Sequence, residues 1–462
     1  MQALDVAQAT ISGAQPIQRS EEYWRKRERK VARRYVLALA FALAWVLFSI
    51  WMSLPWLSDL SNLSHPLVAL FVLTFVAYVP GFMNAFLLIT LVLRPSSRRE
   101  TPAHWPAISI LVAAYQEEEL IGETLRSIAA LEYPGDLEIL VMDDGSTDGT
   151  PDRVRECEQL FAGIPNMTLK LIREERNRGK ARVLNHGLEL ASHELIITID
   201  ADTLLEKGCI VSLVEHLVAS PPETVAIAGA VFVANHDESW ITRAQQWDYF
   251  HGIAAVKRMQ GMYYGTLVAQ GAFSIYRKQA LVEAGGWPDT VGEDIVLTWS
   301  LLRKGLIVRH AEDAIAWTHA PASFSGLASQ RKRWARGMIE ALAIHKPLLS
   351  MRKLRTMFIW WNLLFVSIDL TFTFAFLPGL VLAFLGIFWL AGPITLLVLP
   401  LAALWNVVIY RIQTRMLRRM DVKMEKSLTG FVLYAFIYPL LMQPVSVWGY
   451  FAELFGGKKQ WN

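Results

Sequence analysis

Two aspartates one residue apart, Asp200-Ala201-Asp202, follow the apolar run 195–199. Carboxylates so spaced, where a strand leaves a sheet, can share a divalent cation with a diphosphate. A DxD alone is short, but a second acidic cluster, Asp143-Asp144-Gly145-Ser146-Thr147-Asp148, closes another apolar run. That cluster taken by itself also reads as an Asp/Gly turn. Between the two, Lys180 opens a helix, where an ammonium beside a helix N-terminus suits a phosphate and equally suits a solvated helix start. Tyr115 and Glu117 stand in the loop after the first run, an aromatic ring and a carboxylate fit for a base and its ribose, or an acidic helix start. Glu293 and Asp294 begin a helix over 295–303. Carboxylates there commonly serve as caps, yet an aspartate held ionised by a helix N-terminus can accept a hydroxyl proton. Last comes Gln330-Arg331-Lys332-Arg333-Trp334, in which Gln330, Arg333, Trp334 and Gly337 share one helical face. A basic amphipathic helix on a membrane surface explains it. So does a site where indole stacks on sugar and Arg333 meets phosphate.

The elements that position these residues are a mostly parallel sheet with helices on both faces. Runs at 108–113, 139–142, 169–172, 195–199 and 225–233 read as buried strands, and 124–131 and 181–191 as helices between them. Such a sheet binds ligands at the carboxyl ends of its strands, where the acidic clusters fall. The first run lacks GxGxxG, which argues against a dinucleotide-dependent oxidoreductase.

The rest of the chain is apolar. Of 462 residues, 53% are hydrophobic and 19% charged, and the excess sits at the two ends. The net charge of +3 is too small to argue for a nucleic-acid partner, and no long basic groove is visible. Two cysteines without a CxxC pair give neither a disulfide framework nor a zinc site. Residues 1–19 read as disordered, and the basic stretch 25–34 as a cytoplasmic anchor. The uncharged runs 35–57 and 67–93 are long enough for about 30 Å of hydrocarbon, with Arg94, Arg98 and Arg99 marking the return to the inside. The stretch 357–410, broken by Pro378 and Gly379, allows two spans, and 428–454 a further one, about five in all. Lys458 and Lys459 then fall outside, against the positive-inside rule. Asp369, inside an apolar run, serves either helix packing or a channel lining. The expected division is a basic segment 1–34, two spans in 35–93, a catalytic domain 94–345 with an interfacial helix 324–345, and a C-terminal membrane region 346–462.

Together Asp144, Asp200 with Asp202, Asp294 and Gln330-Arg331-Lys332-Arg333-Trp334 resemble the signature of processive family 2 glycosyltransferases, the cellulose, chitin, hyaluronan and poly-N-acetylglucosamine synthases. The likeness covers roughly 100–345, and the layout of spans is most similar to bacterial poly-β-1,6-N-acetylglucosamine synthases. Two positions depart: Ala113 where proline is common, and Gln116 where asparagine is usual. The resemblance implies a GT-A fold, inversion at the anomeric carbon and a UDP-sugar donor, UDP-N-acetylglucosamine before UDP-glucose. It implies that Tyr115, Glu117, Asp144, Lys180 and Asp200 hold the donor, that Asp202 ligates Mg²⁺ or Mn²⁺, and that Asp294 is the general base. Glu293, Gln330, Arg333 and Trp334 would hold the acceptor end and the leaving diphosphate. It further implies an inner-membrane protein with its catalytic domain in the cytoplasm, a growing polysaccharide as acceptor, the lipid bilayer around it, and a small membrane accessory subunit. A non-processive transferase acting on a lipid acceptor and a transporter with a nucleotide-sensing domain are the competing readings.

Overall fold

A computed structural model describes residues 19–95, 99–351, 353–388, 390, 393–420 and 427–456. The expectations for residues 1–18, for Arg98 and for Lys458 and Lys459 fall outside these.

The sheet has eight strands: β1 Ile108–Ala114, β2 Leu137–Asp143, β3 Met167–Arg173, β4 Leu195–Asp200, β5 Thr203–Leu205, β6 Thr224–Val233, β7 Phe273–Arg277 and β8 Ile307–Thr318. Their order is β3-β2-β1-β4-β7-β6-β8-β5. β1, β2, β3 and β4 run parallel, as near-continuous apolar strands covered on both faces must. β7 is antiparallel between β4 and β6, and β5 antiparallel to β8. Register settles where chemistry can happen. Ala114 lies opposite Asp143, and Ala113 opposite Asp200, so the loops after β1, β2 and β4 open on one edge.

Each face of the sheet has its own core. On one side the helices Ile121–Ala129, Thr150–Ala162 and Cys209–Val218 pack through Leu125, Val154 and Leu213. On the other, Val183 and Leu184 share a core with Trp299, with Ala38 and Ala42 of the first long helix, and with Phe358. The catalytic domain is therefore packed onto the apolar helices rather than tethered to them.

Among the described residues four helices are long and apolar enough to cross a membrane: Glu21–Leu63, Pro66–Leu93, Leu354–Phe384 and Leu428–Leu454. Outward-facing Leu47, Leu67 and Phe384 are well exposed, as lipid-facing side chains are. A fifth helix, Pro393–Arg419, lies where the sequence places a further span. Three of the apolar helices widen into a π turn just before a proline: Thr74–Tyr78 before Pro80, Phe372–Phe376 before Pro378, and Leu433–Ile437 before Pro439. The ring clashes with the preceding turn, and the extra residue gives it room. This corrects one expectation. Pro378 and Gly379 do not break the chain between spans; the helix continues to Phe384 and ends at Gly386, whose φ of +81° suits glycine. Likewise the first helix runs through Pro55 to Leu63, leaving only a short turn before the next. Asp369 is 8% exposed and accepts a hydrogen bond from Tyr450 at 2.7 Å, so it joins two helices rather than lining a water path.

Candidate active site

The loop after β1 is built by Gln116. Its φ of +57° turns the chain, its backbone N–H donates to Ser146 Oγ at 3.0 Å, and its side-chain oxygen accepts from the N–H groups of Thr147 and Asp148. A residue at this departure from the family pattern thus locks the β1 loop onto the β2 loop. Glu117 follows, and burial, then Asp202, Asp200 and Asp148, push its carboxyl up to about 7. Tyr115 is exposed on the rim.

Asp144 is buried, and its two oxygens accept from the backbone N–H groups of Arg178 at 2.6 Å and Gly179 at 2.9 Å. It fixes the loop from which Lys180 emerges. Burial raises its carboxyl despite those two donors. Lys180 closes on Asp200 in an ion pair and lies 3.9 Å from Glu293. Burial lowers its ammonium, but Asp200 and Glu293 outweigh that and raise it. Gly271 leaves the space: a Cβ there would stand 2.9 Å from Lys180 Nζ.

Asp202 takes hydrogen bonds from Thr203 and Thr318, each at 3.1 Å. Burial and then the like charge of Asp200 push it up to about 6. Such a pair of crowded carboxylates calls for a cation. A Mg²⁺-like ion needs only one or two carboxylates from the protein and is completed by substrate phosphates. The donor set therefore fits, with Asp202 and Asp200 as the protein's share.

Glu293 and Asp294 start the helix Glu293–Arg303. Glu293 is buried, and burial carries it up to about 8 even though Lys180 pulls it down. Asp294 Oδ1 accepts from the N–H of Ile295 at 2.6 Å. The helix start alone does not set its charge as the sequence suggested. Burial raises its carboxyl, and Lys180 and the Ile295 N–H oppose that.

The helix Phe324–Ile344, capped by Ser323, lies across this corner. Glu340 accepts from the N–H of Val291 at 2.7 Å and of Gly292 at 3.3 Å. Gly337 meets Gly292 so closely that a Cβ on Gly337 would be 2.7 Å from the Gly292 Cα. Two glycines face to face set the Asp294 turn against the helix. Gln330 Oε1 is buried with no hydrogen-bond partner among the described residues. Burial lowers Arg333, and the charge of Glu293 opposes that. Trp334 is 43% exposed, with its ring 6.4 Å from Tyr249. So Lys180 joins Asp200 to Glu293 at the start of the helix that carries Asp294, and the charges of Asp202, Glu117 and Arg333 are felt by members of the same group.

Sequence reasoning missed three contributors. Arg331 pairs with Asp248 at 2.5 Å and lies 4.2 Å above the Trp334 ring. Asp248, which opens the π turn Asp248–Ala254, also accepts from Tyr438 at 3.2 Å. His319 sets Nδ1 3.2 Å from the Asp202 carbonyl oxygen. The signal available for His319 was its place just after the short apolar run 314–317.

A sequence profile described as glycosyltransferase-like family 2 matches residues 106–337. A poly-beta-1,6-N-acetyl-D-glucosamine synthase of Staphylococcus epidermidis is 33% identical over 236 residues, 51% of this chain and 55% of that protein. A synthase of the same name from Staphylococcus aureus (strain COL) is 31% identical over the same span. The chain thus matches about half the length of these curated relatives. A mannosyltransferase from Pyrobaculum calidifontis, solved in complex with GDP-Man and Mn²⁺, superposes with a TM-score of 0.58 at 19% identity, over 84% of this chain and 99% of that one. That likeness shows a GT-A type fold.

Proposed function

The chain belongs to the family 2 glycosyltransferases, and from that premise we propose that it polymerises N-acetylglucosamine from UDP-N-acetylglucosamine into an exported β-linked polysaccharide. One observation carries the reading: the DxD carboxylates, the Glu293–Asp294 turn and the Phe324–Ile344 helix meet through Lys180 and a glycine–glycine contact at the edge beside the apolar helices. A donor site alone would not need the last two. The named product of the relatives supports the choice of sugar.

In this reading Tyr115, Glu117 and Asp144 lie on the nucleoside side, and Asp202 with Asp200 would hold Mg²⁺ or Mn²⁺. Such an ion supplies positive charge against the charge developing on the departing diphosphate. Lys180 exchanges Asp200 for phosphate when donor arrives, and Arg333 adds a second cation. Asp294 takes the proton of the acceptor hydroxyl as that oxygen bonds to the anomeric carbon. The bond from that carbon to the diphosphate oxygen breaks from the opposite side, releasing UDP and inverting the centre. A carboxylate raised by burial is a stronger base while it stays ionised. Glu293, Gln330 and Trp334 hold the acceptor end, and Gln330 Oε1 is an acceptor waiting for a sugar hydroxyl. The domain faces the cytoplasm of a multi-pass inner-membrane protein, consistent with basic residues at 25–34 and 411–419.

The test is a panel of UDP-sugars offered to purified membranes with Mg²⁺, followed by linkage-specific hydrolases. Polymer from UDP-N-acetylglucosamine that a β-N-acetylglucosaminidase degrades is expected. Incorporation of glucose alone refutes the sugar.

A further inference from the structure

Away from the active site, a cavity of about 470 Å³ lies where the first two long helices meet the catalytic domain. Among the described residues six cations line it: Lys26, Arg27, Lys30 and Arg34 from the first helix, Arg94 at the end of the second, and Arg309 on β8; no carboxylate among those residues does. Arg94 is neutralised from behind by Glu312, which Arg258 shares. Among the described residues none of the other five pairs with a carboxylate. Lys26, Lys30 and Arg34 follow one another at i, i+4 spacing, an arrangement of like charges that works against the helix unless an anion offsets it. Arg309 is 9% exposed; Nη1 donates to Ser220 Oγ at 2.5 Å, while Nε has no partner among the described residues. A buried guanidinium left partly unsatisfied at the back of a cationic cavity is a costly feature without a ligand.

We infer that this cavity binds the phosphate headgroup of an anionic phospholipid from the cytoplasmic leaflet. The position of the cavity selects a lipid over a free phosphate. On the first helix the wide-open apolar side chains begin at Val36 and Leu37, two residues after Arg34, and on the second they end at Val92, two residues before Arg94. Both helices therefore change from apolar to cationic at the cavity. From Lys26 to Arg34 the helix rises about 12 Å, enough to cross a headgroup layer of roughly 5–7 Å. Tyr23, Met262 and Tyr264 supply the less polar wall that an acyl-glycerol backbone would touch. The inference rests on the membrane-spanning reading of these helices and not on the transferase reading. Its test reads binding, so the two fail separately.

The full chain, purified in dodecyl maltoside, is titrated with dioctanoyl phosphatidylglycerol, dioctanoyl phosphatidylcholine or glycerol 1-phosphate, and bound ligand is counted by native mass spectrometry. Phosphatidylglycerol should bind at least about tenfold tighter than phosphatidylcholine. Each cation removed near the surface should weaken it about fivefold. Lys30→Gln with Arg34→Gln, both on the helix surface, should therefore lose about twenty-fivefold while phosphatidylcholine is unchanged. Arg309→Gln should show a similar selective loss, and the helix-surface pair decides the matter if that variant fails to fold. Equal affinity for the two lipids, or an unaffected Lys30/Arg34 variant, overturns the site. Glycerol 1-phosphate binding as tightly as phosphatidylglycerol overturns the assignment to a lipid.

Discussion

At the scale of single residues, the site separates by what each carboxylate already holds. Asp144 is spent on the Arg178 and Gly179 backbone, whereas Asp294 has one oxygen engaged by Ile295 and no other hydrogen bond to its side chain among the described residues. Asp294→Asn should therefore leave UDP binding near wild type and lower turnover about 10²- to 10⁴-fold, the usual worth of a general base. Calorimetric UDP binding beside polymer yield checks this, and weakened binding would move Asp294 to the nucleotide. Trp334 is exposed at the rim, with Arg331 over its face. If it stacks on the acceptor sugar, Trp334→Ala and Trp334→Leu should both shorten the polymer at matched membrane levels, while Trp334→Phe retains part of the length. Wild-type polymer from the Leu variant would leave Trp334 only a membrane seat.

At the scale of elements, the position of Asp294 depends on two glycines. A methyl group on Gly337 would press on the Gly292 backbone, which cannot rotate away. Overpacking of this kind costs about 1–3 kcal/mol and is relieved by separation of the elements. Gly337→Ala should thus lower the turnover number strongly while the affinity for UDP-sugar changes little, since β1, β2 and β4 are untouched. Steady-state kinetics against donor concentration would show it, and a pure loss of donor affinity would contradict it. The parallel half of the sheet was legible, because β1 to β4 each contain a short apolar run, and β2 and β4 end in Asp. β7 was not, because its direction between β4 and β6 is set by distant pairings and not by its own pattern. The helical stretch that carries Asp248 and Tyr249 was also missed. Gly252 and a π turn interrupt its period, and its polar residues are buried against the Phe324–Ile344 helix instead of facing water. Arg331 was read only as part of a motif for the same reason: its partner lies 83 residues away.

At the scale of the whole molecule, one core runs from the sheet into the apolar helices, and buried polar links reinforce it. Arg336 reaches Glu453 at 3.0 Å, and Gln413 reaches the Phe250 carbonyl at 3.0 Å. Gly449 admits the Lys332–Ala335 turn so closely that a Cβ on it would stand 2.6 Å from the Ala335 Cβ. The Phe324–Ile344 helix is thereby fixed to the last apolar helix. Chelation should abolish synthesis, and excess Mg²⁺ or Mn²⁺ should restore it. Turnover undiminished in chelator would remove the metal from the account.

The most direct test of the central claim, repeated addition to a retained chain, is a pulse of labelled UDP-N-acetylglucosamine followed by an unlabelled chase. The protein is reconstituted in proteoliposomes, and product length is measured from the earliest time points. The account predicts long polymer from the start, with pulse label carried into still longer chains during the chase. Label confined to single sugars on lipid, unchanged by the chase, would contradict it.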